Sequence, residues 1–328
     1  QVQNDPTQNA SDDLDLDLII PEIHDCDVQL STSMLNIDPG MTGTATVTYT
    51  NTGNTQFTIG AVVTGAKADD WVNFEGVAVP QTSGILPYDG EDNQKEFIIE
   101  ITPDDSVDAG SEQIFQVEGH DGATGPIKCE ADLRVIVGQS HGGAISLSSS
   151  SISQVEPGGN GSVTVTVMNL GNGQDTLKLS TSAPPSGWGV SLSSSTVNVG
   201  SRHGSSNQAT VEVVVNAPLN ALADDAITIT IYVLPNGGGE AYDSDNVSIS
   251  IMPIHSWDVK DSTIFNQTGR SGTLVHFPIT IVNDGNIGDN FIFAVTLNTR
   301  SNWATHFMDG QDPITSVVVP AFSEKTVN

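Results

Sequence analysis

One turn, written three times, limits what this chain can fold into. Asn51-Thr-Gly53-Asn54, Asn169-Leu-Gly171-Asn172 and Asn283-Asp-Gly285-Asn286 each stand between apolar stretches. The residues before them alternate, as in Thr46-Val47-Thr48-Tyr49 and Val163-Thr164-Val165-Thr166-Val167. Asn and Gly accept positive φ, and a period of two belongs to strands, so each copy reads as a β-hairpin or a tight strand connection. A tryptophan keeps step with the turn at Trp71, Trp188 and Trp303. A module of roughly 115 residues is therefore used three times. The expected organisation is an N-terminal extension over 1–21, then modules over 22–138, 139–253 and 254–328, the last of them partial.

Turn signals divide the first module into seven strands: Asp27 to Leu30, Thr44 to Thr50, Phe57 to Val63, Trp71 to Phe74, Glu96 to Ile101, Gln113 to Val117 and Glu130 to Val137. Seven short strands in about 115 residues predict an all-β fold of tandem immunoglobulin-like β-sandwiches, two complete and one partial. The third module follows the plan through Trp303. The proline that ends the fifth strand, Pro103 and then Pro218, would next fall beyond Asn328. The linker Gly138-Gln-Ser-His-Gly-Gly143 reads as short and flexible. Met252-Pro-Ile-His255 has no glycine and reads as stiffer.

The extension holds a segment that the repeat does not use. In Asp13-Leu14-Asp15-Leu16-Asp17-Leu18-Ile19-Ile20, the side chains of Leu14, Leu16, Leu18 and Ile20 would share one face of a strand. It reads as a strand without a sheet of its own, and so as an assembly strand for a neighbouring subunit.

Charge narrows the partners. Forty acids, 28 of them Asp, face ten bases, for a net charge of −30. Such a surface repels nucleic acid and anionic lipid and is at ease in salt. No apolar run is long enough to span a bilayer. A start at Gln1 in place of Met fits removal of a signal peptide. Cys26 and Cys129 fall near the first and last strands of module one, where a disulfide between them would agree with an oxidising, extracellular setting.

Module two carries a further pattern: Ala183-Pro-Pro-Ser-Gly-Trp188-Gly-Val190, the valine-rich Val211 to Val215, Ala217-Pro218 and Ala223-Asp224. Module one repeats it loosely with Asp70-Trp71-Val72, Thr102-Pro103 and Ala109-Gly110. It resembles the immunoglobulin-like domain associated with bacterial α-galactosidases, itself similar to bacterial cell-adhesion-related domains and found in archaeal surface proteins. The resemblance implies secreted or surface-attached spacer and adhesion roles, and no catalytic residues.

Reactive chemistry is sparse. The seven histidines show neither HExxH nor Cys/His zinc spacing and fall near loops or links, where solvated histidine is expected. The tryptophans read as core fillers. No nucleophile elbow or phosphate loop occurs, so an enzyme is not expected. Calcium is the one ligand for which the chain supplies donors, first of all Asp89, Glu91 and Asp92; no other cofactor is indicated. Asn9, Asn160, Asn246 and Asn266 begin glycosylation sequons. Together these readings predict a non-enzymatic extracellular structural subunit of a pilus-like filament or surface array, its partners copies of itself or other surface proteins. Two alternatives stay open: an adhesin or stalk binding glycan or cell surface, and the spacer domains of a secreted hydrolase.

Overall fold

The computed structural model describes residues 16–75, 81–260, 266–296 and 304–328. Asn9, Leu14 and Trp303 lie outside these. The chain divides into two compact units, Gln1–Gln139 and Ser140–Asn328.

Unit one holds β1 (Cys26–Leu30), β2 (Met34–Ile37), β3 (Gly43–Asn51), β4 (Phe57–Thr64), α1 (Ala68–Trp71), β5 (Val72–Phe74), β6 (Gln81–Leu86), β7 (Gln94–Ile101), β8 (Glu112–Asp121) and β9 (Ile127–Val137). One sheet runs β1-β3-β7-β5 and the other β2-β9-β8-β4-β6. All pairs are antiparallel except β2 with β9. This is the two-sheet arrangement of an immunoglobulin-like sandwich. Alternation along β3, β7, β8 and β9 puts Tyr49, Ile99, Phe115 and Leu133 between the sheets, where each is fully buried.

Three features depart from the seven-strand reading. An added strand, β6, lies at the edge of the second sheet beside β4. The first strand is split, because Thr32 Oγ1 bonds both the carbonyl (2.8 Å) and the amide (3.2 Å) of Met34, turning the chain from one sheet to the other. Trp71 ends a single helical turn rather than starting a strand, and its indole Nε1 donates to Asp104 Oδ2 at 3.1 Å. It is nonetheless a core residue, 1% exposed.

Unit two begins with the same plan: β10 (Gly143–Leu147), β11 (Ser151–Val155), β12 (Asn160–Asn169), β13 (Asp175–Thr181), β14 (Gly189–Leu192), β15 (Thr196–Val199), β16 (Gln208–Asn216), β17 (Ala226–Pro235) and β18 (Asp243–Ile251). The sheets are β10-β12-β16-β14 and β11-β18-β17-β13-β15. It continues with β19 (Trp257–Lys260), β20 (Ile279–Asn283), β21 (Asp289–Ile292), β22 (Phe307–Asp309), β23 (Asp312–Ile314), β24 (Ser316–Val319) and β25 (Ser323–Val327). Here β19-β20-β25 repeats β10-β12-β16, and β21 pairs β24 as β13 pairs β15. β20 starts at Ile279, directly after Pro278, which has no amide to give a ladder. Among the described residues, no strand stands where β17 and β18 stand in the second sandwich. The chain is a tandem of immunoglobulin-like β-sandwiches, two complete and one partial.

Candidate functional site

The repeated turn is not a hairpin. It carries the chain from one sheet to the other, from β3 to β4, from β12 to β13 and from β20 to β21. Nor does it use positive φ, for Gly53, Gly171 and Gly285 all lie outside the left-handed region. Its first asparagine is a buried hydrogen-bonding hub. Asn51 Nδ2 donates to the carbonyls of Thr55, Leu86 and Pro87 at 2.9, 3.1 and 3.1 Å. Asn169 Nδ2 donates to Gly173 and Gly200 at 2.7 and 2.8 Å. Asn283 Nδ2 donates to Ile287 and Val319 at 2.8 and 2.9 Å. Each Oδ1 accepts from the amide of the turn glycine, at 2.9, 2.8 and 2.9 Å. These side chains are 0–1% exposed, so every bond replaces one that water cannot make.

The glycine and the second asparagine grip the chain as it enters each module. A Cβ on Gly53, Gly171 or Gly285 would run into the carbonyl oxygen of Ile23, Ser140 or Ile254, respectively. Close approach is therefore what demands glycine here. Asn54 Oδ1 accepts from the amide of Ile23 at 2.7 Å, Asn172 Oδ1 from Ser140 at 2.8 Å and Asn286 Oδ1 from Ile254 at 2.6 Å. Asn54 Nδ2 also donates to Pro21 O and Asn286 Nδ2 to Met252 O, at 3.0 and 2.9 Å. The amides of Thr52, Leu170 and Asp284 complete the latch by donating to Asp25, Gly142 and Ser256. The linker before the second module, expected to be flexible, is thus fixed at Ser140. Between the second and third sandwiches the latch leaves no slack. The Met252 amide donates to Val155, its carbonyl accepts from Asn286, and the Ala223 amide donates to Asn286 O at 3.0 Å.

A histidine belongs to the same device. His24, His141 and His255 lie 117 and 114 positions apart, in step with the turn. His141 Nδ1 meets Asp175 Oδ2 at 2.8 Å and His255 Nδ1 meets Asp289 Oδ1 at 2.7 Å. Those aspartates open β13 and β21; at the matching place in unit one stands Phe57, on which His24 stacks at 4.7 Å while pairing with Asp121 at 2.9 Å. His141 and His255 stay exposed, as loop histidines are expected to be, and only His24 is partly buried; what the sequence reading missed is that all three have a fixed partner. Their spacing was the signal that could have revealed them.

The other expected sites are scattered. Cys26 and Cys129 form a disulfide with a Cα–Cα distance of 5.4 Å. Asp89, Glu91 and Asp92 are exposed in a turn, and among the described residues no three metal-ligating side chains come together. Acids from the other acidic loops serve the fold: Asp104 accepts from Trp71, Asp225 from Leu222 and Asp243 from Ile145. Asn160, Asn246 and Asn266 are exposed. Leu16, Leu18 and Ile20 are 84, 85 and 68% exposed and lie in no strand. No described helix is long and apolar enough to cross a membrane.

Burial raises the pKa of two tyrosines, disfavouring their ionised form. Tyr49, whose hydroxyl donates to Glu118 O at 2.9 Å, is pushed well above the usual tyrosine value by burial and then by the Glu118 carboxylate. Tyr242 is raised by burial and then by Asp175.

No family model matches the chain, and no curated protein matches it by sequence. Among solved structures, it is similar to protocadherin gamma B7 extracellular cadherin domains 1-4 at 12% identity and a TM-score of 0.40, covering 91% of this chain and 76% of that one. It is also similar to domains 1-6 of the surface layer protein SbsC at 13% identity and TM-score 0.27 (91% and 37% covered). Domains 4 and 5 of that S-layer protein match at 20% and 0.25 (46% and 69% covered). Values this low carry no argument about function.

Proposed function

We propose that the chain is a non-enzymatic extracellular structural protein, a subunit of a cell-surface filament or surface array, in which the Leu14 to Ile20 strand is donated to a neighbour. The observation that carries this reading is the latch, made three times from the same residue types in the same places. A device whose bonds are spent on holding incoming chain is what a series of modules under tension needs. The Cys26–Cys129 disulfide agrees with an oxidising exterior. The acidic surface keeps such a protein soluble and away from nucleic acid. The resemblance to surface-attached immunoglobulin-like domains points the same way.

Immunogold labelling of intact source cells tests the proposal. Label on the envelope or on extracellular fibres is expected. Label confined to the cytoplasm would overturn it.

A further inference from the structure

We infer that Asn236 is a self-modification site, at which the chain converts its own asparagine to aspartate and isoaspartate through a cyclic imide. The fold selects this residue from three that share the same chemistry, whether or not the protein is a surface subunit.

Asn-Gly is the dipeptide in which a side chain closes most easily on the backbone. Glycine has no Cβ to shield its amide, so that nitrogen can reach the carbonyl carbon of the preceding side chain. The pair occurs at Asn160-Gly161, Asn172-Gly173 and Asn236-Gly237. Two of these copies are held. Asn172 is 0% exposed, and its Oδ1 accepts from the amide and the hydroxyl of Ser140 at 2.8 and 3.2 Å. Its side chain cannot turn towards Gly173 without releasing the linker. Asn160 is exposed, but Gly161 pairs with Val215 inside the β12–β16 ladder, and a Cβ on it would run into the side chains of Ile152 and Val155. That backbone cannot rotate unless the ladder opens.

The third copy is free. Asn236-Gly237 is the tip of the hairpin between β17 and β18, which end and begin at Pro235 and Asp243. The Gly238 amide donates to Pro235 O at 3.0 Å, closing a turn with Asn236 and Gly237 at its corners. Asn236 through Glu240 are all exposed, and the Asn236 side chain has no hydrogen-bond partner among the described residues. A Cβ on Gly237 or Gly238 would meet nothing within 4 Å. Successive glycines and open space let this backbone turn into the attacking geometry at little cost.

The step needs only water. The Gly237 nitrogen bonds to Asn236 Cγ, its proton passes by way of solvent to the departing amide nitrogen, and ammonia leaves. Water then opens the imide at either carbonyl. Breaking the new bond yields aspartate, and breaking the original peptide bond yields isoaspartate. Either product adds a carboxylate to the hairpin tip, and isoaspartate also adds a methylene to the backbone.

The test ages the intact chain in mildly alkaline buffer and maps its peptides by mass spectrometry over time, beside a sample unfolded in guanidinium. In the folded chain Asn236 should convert at least about tenfold faster than Asn160 or Asn172. In the unfolded sample the three should convert at similar rates. Gly237→Ala, whose side chain the open space accepts, should slow conversion of Asn236 by about tenfold and leave the other two sites unchanged. In water enriched in heavy oxygen, the product should carry a solvent oxygen. Asn236 still intact when the unfolded sample has converted would overturn the inference, as would three equal rates in the folded chain. A Gly237→Ala chain that ages as fast as the wild type would overturn the attack by Gly237.

Discussion

Replacing Asn169 by Ala should cost the second sandwich about 2–4 kcal/mol. The side chain makes three hydrogen bonds, to Gly173, Gly200 and Gly171, at 2.7 to 2.8 Å, and is 0% exposed. Each such bond is worth about 0.5–1.5 kcal/mol net, and more where a partner is left buried and unsatisfied. Against a total stability of about 5–15 kcal/mol, the loss is large but survivable. Asn169→Asp separates the roles within the side chain. It keeps an oxygen for the Gly171 amide, yet sets a second one against two carbonyl oxygens and buries a charge. At neutral pH Asp should therefore cost more than Ala. The difference should shrink as pH falls through the carboxylate range, because the protonated acid can donate to one carbonyl. Hydrogen exchange by mass spectrometry on the intact chain gives the opening free energy of β12 and β13 directly. The exposed Asn198→Ala serves as control and should stay within about 0.5 kcal/mol. An Asn169→Ala cost below about 1 kcal/mol, or an Asp variant as stable as wild type at neutral pH, would refute the reasoning.

Gly285→Ala should displace Ile254 and Ser256, whose backbone atoms a Cβ would meet, and limited proteolysis should then cut between Met252 and Trp257, where the wild type resists. Loss of the disulfide in a Cys26→Ser, Cys129→Ser double variant should cost unit one up to about 4–5 kcal/mol for its loop of about 100 residues; calorimetry should show the melting of unit one falling while that of unit two stays put. Tyr49 sets an alkaline limit. Its folded ionisation lies above the unfolded value of about 10, so its stabilisation is complete below that pH and is lost as pH rises above it, by at most about 1.4 kcal/mol per pH unit. In urea titrations, Tyr49→Phe should flatten that alkaline decline in unit one.

The strands, the sandwich fold and the three-fold repeat were legible because alternation such as Val163-Thr164-Val165 and the turn residues act locally. The work of the turn was not. Asn51, Asn169 and Asn283 reach carbonyls 31 to 36 positions away, at Leu86, Gly200 and Val319, and no local pattern announces such contacts. Asn-Gly suggests positive φ, yet here glycine is needed for space beside Ile23, Ser140 and Ile254. The histidines were legible in principle, since their spacings of 117 and 114 positions match those of the turn, 118 and 114, to within one residue. They were read one at a time, as loop residues, and the change from Asp to Phe57 in unit one hides the partner's repetition. The partners of the acidic loops were not legible either. Asp104 and Asp243 accept from Trp71 and Ile145, interactions that depend on packing across the sandwich.

The account rests on the latch holding each incoming linker as part of its module. Amide exchange at Ser140 and Ile254, each donating to a turn asparagine, measures this directly. Protection matching that of β12 and β20, and lost in Asn172→Ala and Asn286→Ala, is the predicted result. Exchange at the rate of free peptide in the wild-type chain would contradict it.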